Sequence, residues 1–423
     1  MALFNNSEVQ RYRYKVAQCT IIIGGETIEI KPEAVGGLMI EEKFSTAVYP
    51  IFRLNVATDK ETYYKISKYK TTLRVHLNIQ KYYVVCDANG KPTKTSAKKV
   101  WMNDEFCTIT KEINTNKTKD IDMLEDRSKA DPGDSEDRNN VSELYLWRVE
   151  IANGFKKVLN AVIKKSTMSS IIAWALGNAG INNCLMSPLE NNKRYDEILI
   201  PPLPINRLLQ HLDAMYGFYK NGSIIYFGLK NSYILNVNGK CTAWGRGEIQ
   251  NVTLLIPKVS VTESSGDGGN VDKGGNSHYI YMKYTDSDFS SPSTVDNVTS
   301  GVDVVTLDQS TAGTTHATGK GRNVNDKNNT NVIDNSTENP WIATTYAAQK
   351  SLGKSVLSGM IKNADLDDLT PNKVYSVAVE DSAETSGAKG NYKMFTAIHR
   401  FVNDSATGDF AVESVVEFKR VEV

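Results

Sequence analysis

The sequence predicts an α+β chain that is mainly β, with β-rich segments on both sides of a helix-and-hairpin unit near mid-chain. Three observations carry this. Tyrosine occurs 20 times in 423 residues, and runs of Val, Ile and Thr recur, which favours pleated structure. Several of those runs alternate apolar and polar positions with period two, as half-buried strands do. Leu208, Leu209, Leu212, Met215 and Tyr216 instead form one helical stripe, with Pro201, Pro202 and Pro204 before it and Gly217 after it as start and stop signals.

The length is two to three times a domain of about 150 residues, so two or three domains are expected. The boundaries fall at 1–150, 151–250 and 251–423. Polar stretches at about 87–140 and 262–340 interrupt the outer two; they are too rich in charged and small polar residues to supply much core.

In the first region, Arg11–Val16 and Cys19–Ile23 lead to Gly24-Gly25 and then Glu26–Ile30, a pattern of two strands around a tight turn. Leu38–Phe44 and Tyr49–Val56 read as further strands, while residues 61–69 fit helix and strand equally. Leu73–Gln80 alternates over its whole length, with Leu73, Val75, Leu77 and Ile79 on one side. His76 therefore falls on the polar face and reads as a surface histidine. Trp101 and Phe106–Ile109 make the 87–140 excursion partly folded, and that excursion is expected to contact neighbouring proteins. Asp131–Asp137 lacks the central glycine and terminal glutamate of a calcium loop and reads as a solvated loop.

In the middle region, Leu144–Ile151 and Leu159–Lys165 read as strands. Ser166 or Thr167 caps a helix through Leu176, ended by Gly177 and Gly180. Strand, proline elbow, helix and hairpin follow. The hairpin strands are Ile224–Phe227 and Tyr233–Val237, joined by residues 228–232. His211 lies off the apolar stripe, facing solvent or a protein contact. Asn251–Pro257 is a further strand. In the last region, Tyr279–Tyr284 reads as a strand, residues 341–361 as a helix, and Lys373–Glu380, Tyr392–Val402 and Phe410–Val421 as closing strands; His399 is accounted for by its sheet position.

The search for chemistry returns little. Lys plus Arg and Asp plus Glu both number 49, so the chain is neutral and has no nucleic-acid footprint. The basic runs at 65–70 and 94–99 read as solvated faces. Cys19, Cys86, Cys107, Cys184 and Cys241 are too far apart for zinc or redox spacing and read as buried or partly buried thiols. No His-Glu-x-x-His, Gly-x-Ser-x-Gly or phosphate-loop pattern occurs, and a single Gly266-Asp-Gly-Gly-Asn270 does not make a calcium repeat. No catalytic, cofactor-binding or metal residue is assigned and no cofactor is expected. The N-terminal segment lacks a basic stretch followed by an apolar core, and no run of about 18 apolar residues occurs. The expectation is folding in a reducing cytoplasm without spanning a membrane.

The arrangement resembles the baseplate hub proteins of contractile phage tails and related injection machines. The resemblance is carried by Ser166–Gly180, by Ile200–Tyr219 with the hairpin to Val237, and by Leu369–Val377 with Tyr392–Phe401. It implies two tail-tube-like antiparallel β-barrel domains joined by a middle region with helices and a hairpin. Leu208, Leu209, Leu212, Met215 and Tyr216 would then be the connector core, with Pro201, Pro202 and Pro204 setting where the chain turns. The implied role is structural: a homotrimer whose pseudo-sixfold ring adapts the sixfold tail tube to a trimeric central spike. Its partners would be the spike, the tube and neighbouring baseplate proteins, with DNA only passing through the lumen. The implied setting is the virion, assembled in the host bacterial cytoplasm. The competing classes are a tail-associated peptidoglycan hydrolase, whose carboxylate pair sequence spacing would not reveal, and a carbohydrate-binding β-protein.

Overall fold

The computed structural model describes residues 9–44, 50–69, 72–86, 92–109, 140–220, 222–237, 252–256, 277–285, 303–308, 313–318, 331–334, 356–379, 388–404 and 408–421. Its first strands are β1 (Val9–Ile23), β2 (Glu26–Ile30), β3 (Val35–Lys43) and β4 (Ile51–Thr58). Gly24 and Gly25 make the β1–β2 turn with φ of +58° and +95°, a conformation glycine adopts without a Cβ clash. The ambiguous stretch is a helix, α1 (Lys60–Lys68), because Asp59 caps it by accepting from the Thr62 amide at 2.9 Å. Then come β5 (Arg74–Cys86), β6 (Pro92–Thr95), β7 (Lys99–Thr108) and β8 (Asn140–Arg148). In β5 the apolar alternation holds: Val75, Leu77 and Ile79 are buried, while His76 and its neighbours on that face are not.

The strand expected over 144–151 stops at Arg148, and α2 (Val149–Lys156) begins there. Its Ile151 and Ala152 are buried on one side, and Glu150 sits in its first turn, where a carboxylate suits the helix dipole. The rest of the middle region is β9 (Val158–Thr167), α3 (Met168–Ala179), β10 (Cys184–Met186), β11 (Arg194–Pro204), α4 (Ile205–Tyr216), β12 (Ser223–Phe227) and β13 (Ser232–Asn236). Thr167 is the N-cap of α3, and Gly180 ends it in the left-handed region at φ +83°.

The C-terminal strands are β14 (Val252–Ile256), β15 (Ser277–Tyr279), β16 (Tyr281–Thr285), β17 (Asp303–Asp308), β18 (Gly313–Thr318), β19 (Asn331–Asp334), β20 (Val356–Lys362), β21 (Tyr375–Val379), β22 (Gly390–Asn403) and β23 (Phe410–Arg420). The helix expected over 341–361 is corrected at its end: 356–362 is strand, paired with β16 and β23. Val356, Ser358 and Gly359 are poor helix formers, and seven ladder pairs with β23 decide the outcome. Residues 341–355, the two polar loops 131–137 and 266–270, and Cys241 lie outside the described residues.

Most pairings are antiparallel, but β14 runs parallel to both β15 and β21, β10 runs parallel to β13, and β17 runs parallel to β19. The organising pair is the long hairpin β22–β23, with eleven register pairs from Tyr392–Arg420 to Asn403–Phe410. The free edge of β22 is divided between β21 and β3, and that of β23 between β20 and β1. One path of pairings leaves β22 through β3, β4, β8, β7, β5 and β1 and returns to β23 at the Tyr14–Phe410 pair. A second leaves through β21, β14 and β15. Ile280 joins β15 directly to β16, which pairs with β20 and so leads back to β23.

Two large cores result, beside a small cluster of Tyr82, Val84 and Cys86. The main one lies against the large sheet; the second gathers α2, α3, α4 and the ribbon β9–β11. Hairpin β12–β13 stands between them. Ile224, Tyr226, Tyr233 and Leu235 face the main core, whereas Ile225, Phe227 and Ile234 face the second. Among described residues no helix is long and apolar enough to cross a membrane.

Phe227 is 1% exposed and packs edge-on against Phe155 at 5.0 Å. Phe227→Ala is expected to lower stability by about 3–5 kcal/mol in urea denaturation, whereas Tyr64→Ala on the exposed face of α1 should change it by less than about 0.5 kcal/mol.

Candidate functional site

The densest polar cluster lies where the middle hairpin meets the large sheet, and it is built on the segment 363–373 between β20 and β21. This segment carries Asp365, Asp367 and Asp368, and each accepts from at least one lysine of the chain. Lys81 of β5 donates to Asp365 at 2.8 and 2.9 Å and also to Asp367. Lys230, in the turn of β12–β13, donates to Asp367 at 2.7 Å, and the Trp101 indole N–H of β7 donates to the same carboxylate at 3.2 Å. Lys230 also sits over the Trp101 ring, 5.1 Å from its centroid. Lys373 donates to Asp368 at 2.7 Å, and the fully buried His278 of β15 donates from Nε2 at 3.0 Å.

The backbone of the segment is held as closely as its carboxylates. The Leu366 amide donates to the buried Tyr14 hydroxyl at 2.8 Å, and the Tyr375 hydroxyl donates to the carbonyls of Asp368 and Thr370. Arg13 donates to the Asn363 side chain at 2.8 Å and to Asp404 at 2.6 Å. Buried polar groups are costly unless paired, and these contacts pair them. On the other side, Arg148 at the end of β8 donates to the Lys230 carbonyl at 3.0 Å, so the hairpin turn is fixed from two directions. Gly228 in that turn has no room for a side chain: a Cβ would lie 2.8 Å from the Asn231 carbonyl oxygen.

Between the turn, β3, β7, β22 and segment 366–373 lies a cavity of about 170 Å³ lined by Glu42, Trp101, Lys230, Asp367 and His399 among others. His399 is buried, as its sheet position requires; its Nδ1 is 2.8 Å from the Ser414 hydroxyl and its Nε2 is 3.6 Å from Glu42. Acids and bases are interleaved along this wall, and each of the carboxylates of 363–373 already has a cation from the chain itself.

Electrostatics follow from that pairing. Burial works against ionisation of Asp367, but Lys81 and Lys230 outweigh it and hold its carboxyl below the usual range. Burial also opposes ionisation of Asp368, and the hydrogen bond from His278 together with Lys373 brings its carboxyl below the usual range. Asp365 goes the other way: burial raises it, and Lys81 offsets only part. Burial lowers Lys81, but Asp365 and Asp367 reverse that and leave it raised.

Of the residues singled out from the sequence, Leu208, Leu209, Leu212 and Tyr216 belong to the second core, and none belongs to this cluster. Leu208, Leu209 and Leu212 are fully buried there; Met215 and Tyr216 are half-buried, with Tyr216 edge-on to Tyr195 at 5.0 Å. Pro201 and Pro202 sit where the β9–β11 register shifts between Ile200 and Leu203, and Pro204 is the N-cap residue of α4. His211 is half-buried. The end of α4 is tied to the hairpin by Asp213, which accepts from the Phe218 amide and the Ser223 hydroxyl, both at 2.9 Å. Sequence reading missed the aspartate segment. Its signal was the acidic run Asp365-Leu-Asp-Asp368, but its partners lie up to 286 positions away.

These clusters join segments of the chain to one another; among the described residues no group of three or more His, Cys, Asp or Glu is placed to hold a metal ion. What fold and site define is a β-dominated chain with two cores clamped together through a hairpin. The chain belongs to the family described as Bacteriophage PBS1 gene 109 protein, whose model matches residues 4–421. No curated protein matches it. Among solved structures it is similar to the tail protein from Neisseria meningitidis MC58, at 12% identity and a TM-score of 0.48, covering 97% of each chain. It is also similar to the 43 kDa tail protein of prophage MuSo2 from Shewanella oneidensis, at 11% identity and a TM-score of 0.45, covering 94% of this chain and 97% of that one. A third is prophage tail protein gp18 from Listeria monocytogenes EGD-e, at 6% identity and a TM-score of 0.40, covering 94% of each.

The lowered carboxylates fix a sign for the pH dependence. Asp367 and Asp368 contribute stability that is present above the ordinary aspartate value of about 4 and is lost as pH falls through their lower folded values. Asp365, raised, has the opposite sign and weakens the fold as pH rises above about 4. Asp368→Asn is expected to lower stability at pH 7 by about 1–3 kcal/mol and to flatten the acid limb of stability measured by denaturation between pH 5 and pH 2 in buffers of about these values.

Proposed function

We propose that this chain is a structural protein of the phage tail baseplate, a hub subunit that forms a homotrimer and adapts the sixfold tail tube to a trimeric central spike. The observation that carries the reading is the pair of pairing paths that begin and end on β22–β23. We take each path as the wall of one barrel, the first built mainly from residues 1–150 and the second from 251–423, with 151–250 as the connector. Two barrels per chain and three chains make six, so one trimer presents near-sixfold repetition on one side and true threefold symmetry on the other. Leu208, Leu209, Leu212, Met215 and Tyr216 are the connector core in this reading, and Pro201, Pro202 and Pro204 set the entry into it.

Membership of a bacteriophage protein family supports the setting, which is the virion. The role is non-enzymatic, with no cofactor: the polar side chains of the 363–373 cluster are engaged in holding the chain's own segments together. The partners are the central spike, the tail tube and neighbouring baseplate proteins, and DNA only passes through the lumen.

Native mass measurement tests this. A trimer, alone or with spike and tube proteins added, is expected, together with no turnover of peptidoglycan. A strictly monomeric protein in the presence of both partners contradicts the hub role, and peptidoglycan turnover abolished by changing one buried acid would instead support the hydrolase.

A further inference from the structure

The cavity beside the aspartate segment holds one carboxylate that the chain leaves without a lysine or arginine. Asp365, Asp367 and Asp368 each accept from a lysine. Glu42 of β3 lines the same cavity with its side chain 13% exposed, and among the described residues no lysine or arginine lies within 4 Å of it. The basic group that approaches it is His399, whose Nε2 is 3.6 Å away, beyond hydrogen-bond reach; the other nitrogen of that ring is engaged by the Ser414 hydroxyl. A carboxylate so far removed from water is costly until a cation meets it.

The charge of Glu42 is felt by two hydroxyls. Burial first, and Glu42 second, push both Tyr226 and Tyr233 above the ordinary tyrosine value. The Tyr226 hydroxyl is fully buried and closes no direct hydrogen bond. The wall around Glu42 is therefore negative and short of donors.

The rest of the lining selects the kind of cation. Phe44, Leu185, Leu229, Leu366 and Leu369 make an apolar wall, and the volume of about 170 Å³ is more than about ten times what one water needs. A metal ion would require several oxygen or nitrogen ligands, and among the described residues no group of three is placed to hold one. An anion would meet Glu42 and Asp367, while Lys230 and Lys373 on the same wall are already engaged by Asp367 and Asp368. Lys230 and Asp367 are also 36% and 42% exposed, so the cavity is reached from solvent past them.

We propose that this cavity is a binding site for a primary alkylammonium group, with the charged head on Glu42 and the hydrocarbon stem along the leucines. An ammonium brings three donors; the Glu42 carboxylate accepts, and so does His399 Nε2 when the ring proton is on Nδ1 toward Ser414. A lysine side chain of a partner protein and a free aliphatic amine share this chemistry. The site does not rest on the hub reading.

The test is ligand-observed NMR and thermal shift on the full chain with n-butylammonium, n-butanol and butyrate, which share a stem and differ in the head. Butylammonium is expected to bind at least about tenfold tighter than butanol, with butyrate weaker than either, and to raise the melting temperature as its concentration rises. Glu42→Gln keeps the size of the side chain and should lose about tenfold or more of the butylammonium affinity while butanol is unaffected. Equal binding of the three ligands, preference for butyrate, or no butylammonium binding below about 100 mM overturns the site. Butylammonium binding unchanged in Glu42→Gln overturns it as well, and if that variant does not fold the wild-type series decides alone. Nα-acetyl-lysine N-methylamide separates the sources: affinity equal to butylammonium upholds the site as a receptor for a partner's lysine, and binding of butylammonium alone upholds it as a site for free amines.

Discussion

The structure depends on one constraint: hairpin β12–β13 is buried on both faces. A strand pair in that position cannot alternate apolar and polar residues, and it does not; every residue from Ile224 to Phe227 and from Ser232 to Asn236 is buried. Its backbone bonds to neighbouring segments on the β13 side and at its ends. β10 lies parallel to β13, the Ser232 amide donates to the Asn183 carbonyl at 2.6 Å, and the Val237 amide donates to the Gly222 carbonyl at 3.2 Å. Because alternate side chains enter alternate cores, a change of register by one residue would exchange Tyr226 for Phe227 and misfill both.

The aspartate segment fixes where this hairpin ends. Lys230 reaches Asp367 from the turn, Lys81 reaches Asp365 and Asp367 from the sheet, and the Arg148 guanidinium holds the Lys230 carbonyl. Ion pairs of this kind lose in desolvation much of what they gain in attraction, so their main effect is on geometry. They set the hairpin turn against β5 and β7, while the packing of Phe44 on Tyr226 at 4.7 Å supplies apolar contact nearby. A hairpin held at its turn and along both faces keeps the two cores in fixed relation.

Much of this was legible in the sequence. Leu73–Gln80 alternates and is a strand with the expected side buried; Leu208, Leu209 and Leu212 are spaced as a helix stripe and are buried; Thr167 and Gly180 cap as their chemistry dictates. Local signals of that kind survive because they are set by near neighbours. Two kinds of feature did not show. Residues 356–362 continue a stretch whose apolar spacing reads as helix, and the ladders with β16 and β23 make them strand. The Lys81–Asp365–Asp367–Lys230 cluster joins residues far apart in the chain, and nothing in the sequence beside Lys81, in the middle of β5, points to its partners. The shared use of β22–β23 was equally hidden, since a strand's two edges leave no trace in periodicity.

If the hairpin is the common wall of two cores, loosening it from one side must be felt on the other. Hydrogen–deuterium exchange on the wild type and on Tyr226→Ala measures this directly, since Tyr226 faces only the main core. The account predicts that amides of α3 and α4 in the second core lose protection along with those of β12 and β13. Full protection of α3 and α4 in a variant whose hairpin amides exchange faster would contradict it.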